Sequence, residues 1–468
     1  MPKWISGALS AAFVASAMAA TPALAAPQQD IKPGRDNAPV TPARQKPALP
    51  PSPTILQQKP SMRTAAQAVA PDDENAIETA SDREYAVLKL PNGLEVFLTY
   101  DPETRMSAAS MSVGTGGLYD PTDKPGLSHF LEHMLFLGTE KYPKIGGYQE
   151  YLNQNGGEFN AMTGPRNTTF FFGIPNDNFE GALDRFSEFF KHPLLDPAYS
   201  AKEINAVNNE FAKNLQSDGR RANYVKDLLS NPGHPLANFG TGGNLQTLAG
   251  DNTEALKAFY HKYYSATNMK LAFISAMPLE QQAELVKKYF ADVPSFNVDK
   301  PQISSDFRSP LQDQYRLLQV KSLADIRVMS LEFPTIRLVD HRDSKPESIL
   351  GEILGYEGHG SLLSKLKDEG LATGLSAGGS YDDPAINTMN LTINLTQRGL
   401  ENKQHVLEVV FAYIDMLKQH GVQEYTFKEQ KTMGRTGIHW DQGAQGTDYV
   451  TSMSELMFDY KPKELATL

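Results

Sequence analysis

This sequence predicts an α+β protein of two homologous αβ-roll domains, each a mixed, mostly antiparallel sheet flanked by helices. Three observations carry that prediction. Short apolar extended runs alternate with long amphipathic helices from about residue 85 onward. The same order of elements occurs twice in that stretch. The second occurrence runs out before its last strand and helix, so the second domain is expected to be truncated.

At 468 residues the chain is long enough for two or three cores. Its formal net charge is -11, with acidic and basic residues mixed along it, so no nucleic-acid surface is expected. It has no cysteine, which excludes thiolate metal ligands, disulfides and a cysteine nucleophile.

Residues 1–25 read as a secretory signal peptide. Lys3 precedes an apolar, alanine-rich run from Ile5 to Ala20, and Ala23-Leu24-Ala25 offers the small residues of a cleavage site. The run is shorter than the roughly 18 to 20 apolar residues of a spanning helix. Export without stable membrane insertion is therefore expected, to a periplasm by preference and to the exterior otherwise. Residues 26–81, rich in Pro, Gln, Ala and Ser around Pro50-Pro51-Ser52-Pro53, read as a disordered linker.

Order begins near Tyr85. Extended runs over 86–90 and 94–98 flank the turn signal Pro91-Asn92-Gly93, and a third strand is expected over 108–113. Gly114-Thr115-Gly116-Gly117 lacks the Gly-Lys-Ser/Thr of a phosphate loop and leads into a turn at Tyr119-Asp120-Pro121. A helix of about three turns follows between Pro125 and Gly138, with Pro at its entry and Gly at its exit. Next come a helix over 148–155, the Gly157–Thr163 segment and an apolar strand over 168–174. A helix over 178–191 then puts Phe179, Leu183, Phe186, Phe189 and Phe190 on one side, a stripe that reads as core. A further helix opens near Ser200, and a strand over 270–276 and a helix over 280–290 complete the first domain, taken as 82–305.

The second domain is taken as 306–468. Gly358-His359-Gly360 leads to a helix through Leu362, Leu363 and Leu366. Gly378-Gly379, a strand over 388–395 and a long helix over 402–420 follow, and Lys428-Glu429 opens a helix as Lys202-Glu203 did. Aligned on Gly126 and Gly360, the positions of His129, Glu132 and His133 hold Leu363, Leu366 and Lys367. That copy is expected to bind no metal.

The chemistry is concentrated in His129-Phe-Leu-Glu132-His133. On a helix, residues three and four apart share a face, so both imidazoles and the carboxylate project toward one point. Neutral imidazoles bind zinc well, and a carboxylate beside the metal can take a proton from water. This H-x-x-E-H order is the inverzincin motif. Catalytic zinc usually takes three protein ligands, so one more is needed. Glu203 and Glu210 lie seven apart on one predicted helix and can face the same side. One can bind metal and the other support a ligand, although a solvated acidic face gives the same spacing.

The segments Gly126 to Thr139, Gly157 to Ala161 and Glu203 to Glu210 together resemble the pitrilysin and insulysin (insulinase) family of zinc metallopeptidases, over a stretch from about Leu90 to beyond Gly378. The resemblance implies one zinc per chain held by His129, His133 and Glu210. It implies Glu132 as catalytic general base and Glu203 as an acidic neighbour supporting a ligand. It also implies that Asn160 and Ala161 lie on an edge strand that pairs with the main chain of a peptide substrate. Tyr356 to Leu363 and Leu375 to Gly379 are similar to the family's second-domain anchor for a peptide N-terminus.

The expected function is therefore zinc-dependent endopeptidase activity on peptides. The alternative is a non-catalytic or partner-dependent subunit of a two-chain peptidase. Full-length relatives of the pitrilysin kind carry four such domains, so a C-terminal half or a partner chain is expected to complete the chamber.

Overall fold

A computed structural model describes residues 83–465, except 241, 308–315, 343, 384 and 441–444, together with the pair 12–13. Apart from that pair, the signal-peptide and linker readings over 1–25 and 26–81 lie outside the described residues.

The first sheet is built from β1 (Glu84–Lys89), β2 (Glu95–Tyr100), β3 (Met106–Val113), β4 (Glu158–Thr163), β5 (Thr168–Pro175) and β6 (Met269–Ser275), in the order β1-β2-β6-β3-β5-β4. The β1 and β2 strands form a hairpin whose turn needs a left-handed residue, and Gly93 supplies it with φ of 90°. Every pairing is antiparallel except β2 with β6, which bring together the two ends of the domain. β4 pairs only with β5 and so ends the sheet. Its alternating burial is that of an edge strand with one packed face.

Helices cover the inner face. They are α1 (Leu127–Leu135), α2 (Gly147–Gln154), α3 (Phe179–Ser187), α4 (Ser200–Asn214), α6 (Thr253–Tyr263) and α7 (Leu279–Phe290), while α5 (Asp218–Leu228) follows α4 outside that core. The aromatic stripe of α3 and of the short turn of helix after it, 188–190, is core, as its spacing indicated. Phe179, Phe186, Phe189 and Phe190 are essentially fully buried, with Phe172 edge-on to Phe186 at 5.2 Å and Phe273 edge-on to Phe179 at 5.4 Å. Each such side chain contributes about 1.5–3 kcal/mol by leaving water.

The second sheet contains β7 (Val328–Pro334), β8 (Ala372–Asp383) and β9 (Ile386–Leu395), in the order β8-β9-β7, all antiparallel. Beyond β7 lie two-residue pairings from Ala12–Phe13 and Arg316–Leu317. Helices α8 (Pro346–Gly355), α9 (Leu362–Asp368), α10 (Lys403–His420) and α11 (Glu424–Trp440) accompany this sheet. Both sheets contain the same antiparallel triplet, β4-β5-β3 in the first and β8-β9-β7 in the second, with two helices between its first strand and its hairpin. The chain is thus α+β with a repeated motif.

Two expectations change. Alignment on Gly126 and Gly360 paired α1 with α9. Element order pairs α1 with α8 instead, since each is the first helix after its strand and packs against the edge strand of its sheet. Gly378-Gly379 lies inside β8. The second change concerns the chain beyond residue 445, which was read as part of the 306–468 domain. Helix α12 (Gly446–Leu456) crosses back and covers the outer face of the first sheet. Tyr449, Val450, Met457 and Leu465 bury Phe97, Ala108, Ala272 and Ile274 there. That face was apolar enough to need a cover, and α12 has the apolar stripe to provide it. Among the described residues, no helix is long and apolar enough to cross a membrane.

Candidate metal centre

Helix α1 places His129, Glu132 and His133 on one face, and α4 packs across it to bring in Glu203 and Glu210. The start of α1 is held from upstream. Asp120 accepts hydrogen bonds from the backbone N–H groups of Gly126 (2.6 Å) and Ser128 (2.8 Å), satisfying two of the donors that a helix leaves unpaired at its beginning. Gly126 has φ of 91°, and a Cβ there would lie 2.1 Å from Gly243 Cα. The Gly242-Gly243 backbone is thereby pressed against the helix entry.

The two imidazoles meet edge-on, with Nε2 of His133 3.3 Å from Nε2 of His129. Glu210 faces both, its Oε2 3.4 Å from His129 Nε2 and its Oε1 3.6 Å from His133 Nε2. The ligand atoms of His129, His133 and Glu210 all lie within 4.8 Å of one another. Two neutral nitrogens and a carboxylate at this separation suit a single zinc ion. The outward nitrogens point to the same arrangement. His129 Nδ1 lies 2.7 Å from the carbonyl of Gly242, which fixes its proton there, and His133 Nδ1 lies 3.5 Å from Glu203 Oε2. Both Nε2 atoms are left to face the shared point.

Glu132 takes a different position. It is buried, and its Oε2 accepts a 2.6 Å hydrogen bond from the hydroxyl of Thr163, the last residue of β4. Burial raises its pKa above the usual carboxylate value, opposed by the charges of His129 and His133 and by the Thr163 hydrogen bond. Glu210 is lowered, chiefly by its hydrogen bond to His129. Burial depresses the imidazolium of His129, but the Glu210 carboxylate, the charge of Glu132 and the Gly242 carbonyl outweigh it and hold it up to about 9.

These groups line one wall of an open cleft. Asn160 and Ala161 line it too, on the free-edged strand β4, beside Phe159 and Met162. A segment of extended chain laid along β4 would find its unpaired backbone groups next to Glu132. The residues singled out in the sequence, His129, Glu132, His133, Glu203, Glu210, Asn160 and Ala161, all meet in this one place.

Comparison with known proteins now bears on the site. Residues 95–233 match the model for insulinase (peptidase family M16), and residues 252–433 match the model for the M16 inactive domain. The chain belongs to the M16 (insulinase) family of peptidases. Insulin-degrading enzyme of Drosophila melanogaster is 38% identical over 378 residues, which are 79% of this chain and 38% of that protein. The A-factor-processing enzyme of Saccharomyces cerevisiae is 36% identical over 389 residues, 81% of this chain and 38% of that protein. The crystal structure of pitrilysin superposes with a TM-score of 0.77 at 30% identity, covering 84% of this chain and 42% of that one. This M16 chain spans about two fifths of the length of the curated relatives it matches.

Three residues of the site escaped the sequence reading. Thr163 was quoted only as the end of a Gly-rich segment, Asp120 only as part of a turn, and Gly242 not at all. An acidic residue six positions before the helix entry was the available signal for Asp120. The glycine-rich 240–243 stretch was the signal for Gly242.

Proposed function

We propose that this M16 chain is a zinc-dependent endopeptidase in which His129, His133 and Glu210 hold the metal and Glu132 is the general base. The observation that carries this reading is the convergence of two imidazole Nε2 atoms and a carboxylate within 4.8 Å, beside a separate buried carboxylate. Zinc, when bound, would supply Lewis acidity to the scissile carbonyl and to water. Glu132 takes a proton from the attacking water and returns it to the leaving amine, a double role that its raised pKa suits. Thr163 holds the carboxylate toward the cleft, and Glu203 orients His133. Asn160 and Ala161 offer the free edge of β4 to the substrate main chain, which favours peptides that can lie extended.

The cleft is open on one side, with the Glu210 side chain 51% exposed. We therefore read it as one wall of a chamber, with a C-terminal half or a partner chain as the facing wall. Export, to a periplasm by preference, belongs to the same proposal and rests on residues 1–25.

The test is a peptide-cleavage assay on zinc-loaded and chelator-treated protein, alone and with a supplied C-terminal half. Turnover that chelation abolishes and zinc restores supports the reading. A zinc-loaded chain inactive in both settings refutes it.

A further inference from the structure

The β4–β5 hairpin carries Asn160, Ala161 and Thr163, and it is gripped from outside by the chain segment that follows the second domain. Thr447 donates to Glu158 Oε1 at the start of β4 (3.0 Å). Thr169 in β5 donates to Glu455 Oε1 (2.9 Å). At the turn itself, beyond Thr169, Arg166 makes a two-pronged ion pair with Asp459, one prong at 2.8 Å, and the two side chains are 17% and 5% exposed. All three partners lie within 447–459, beyond both matched family segments.

A surface ion pair would mean little, but this one is largely out of water, bidentate and in line with two further contacts. Its geometry fixes the turn that begins directly after Thr163, and Thr163 in turn fixes the Glu132 carboxylate. The turn's inner side is held separately, by Gly117 N–H on the Gly164 carbonyl and Leu118 N–H on the Pro165 carbonyl. Removing the outer grip therefore leaves a hairpin that is still attached but held on one side only.

We propose that Arg166 and Asp459 are positioning residues, through which the segment 446–465 sets the β4 edge and the Glu132–Thr163 contact. The functional part of this inference rests on the proposed peptidase activity; the clamp itself does not.

The experiment compares wild type, Asp459→Asn, the reciprocal exchange Arg166→Asp with Asp459→Arg, and Ser454→Ala as a control in the same helix. Ser454 bonds to Ser110 of β3 rather than to a residue of the hairpin or its turn. Hydrogen exchange of amides 158–169, zinc content and peptide turnover are read together. Asp459→Asn should speed exchange of the hairpin by about tenfold or more, leave β2 and β6 protected and zinc content unchanged, and lower kcat. The reciprocal exchange should restore protection in part, and Ser454→Ala should leave the hairpin as in wild type. Unchanged hairpin exchange in Asp459→Asn, or the same loosening in Ser454→Ala, overturns the clamp. A loosened hairpin with full kcat overturns its functional part. If zinc-loaded wild type cleaves nothing even with a C-terminal half supplied, the peptidase reading fails while exchange still decides the clamp.

Discussion

The hydroxyl of Thr163 and the carboxylate of Glu132 are joined by a 2.6 Å hydrogen bond that ties the edge strand β4 to the metal helix α1. One atom pair thus links the surface proposed to bind peptide to the group proposed to move the proton. Thr163→Val keeps the shape and removes the donor, and should lower kcat about tenfold or more with zinc retained. Thr163→Ser should recover most of the loss. Steady-state kinetics with metal analysis checks both, and an active Thr163→Val would show that the contact is incidental.

His129→Ala or His133→Ala removes one of three ligands, and the isolated protein should contain little zinc. Glu203→Ala should retain the ion but bind it about 10- to 100-fold more weakly, because His133 loses the group that orients it. Competition with a zinc-binding dye separates these outcomes. Equal affinity in Glu203→Ala would remove Glu203 from the site.

Zinc uptake should be pH-dependent. The His129 imidazolium persists up to about 9 in the metal-free chain, and a ligand must be neutral. Affinity should therefore fall as pH drops below about 9, by about tenfold per unit for one displaced proton. The sign for folding is opposite. A raised histidine pKa stabilises the metal-free fold fully below the unfolded value near 6.5, and that contribution disappears as pH rises through about 9. Metal titrations and melting curves at pH 6, 7.5 and 9 test both directions.

Asp120→Ala should destabilise the fold by about 1–3 kcal/mol, since two backbone donors at the start of α1 lose their acceptor. Gly126→Ala should cost more, because Gly126 is in a left-handed conformation and the new Cβ meets the backbone of Gly242 and Gly243. Chemical denaturation of the metal-free protein measures both.

What could be read in the sequence followed from short-range geometry. His129, Glu132 and His133 lie within one helical turn, and Glu203 and Glu210 within two, so periodicity alone placed each set on one face. That those two faces meet is a tertiary fact, and only the resemblance to a known family assigned Glu210. Thr163 was illegible for the same reason, because it lies at the end of a strand whose register against α1 no local pattern sets. The destination of α12 was hidden too. An amphipathic helix announces that it packs, but not on which sheet, and the last segment read as part of the nearer domain. The misaligned second copy shows a related limit, since a single Gly-rich match outweighed the order of elements.

The account rests on Glu132 as a base that is not a ligand, and the most direct measurement is zinc content with peptide turnover for Glu132→Gln beside wild type. The expected result is one zinc in each protein and loss of turnover by about 100-fold or more in the variant. A Glu132→Gln protein that cleaves as wild type does, or one that has lost its zinc, would contradict it.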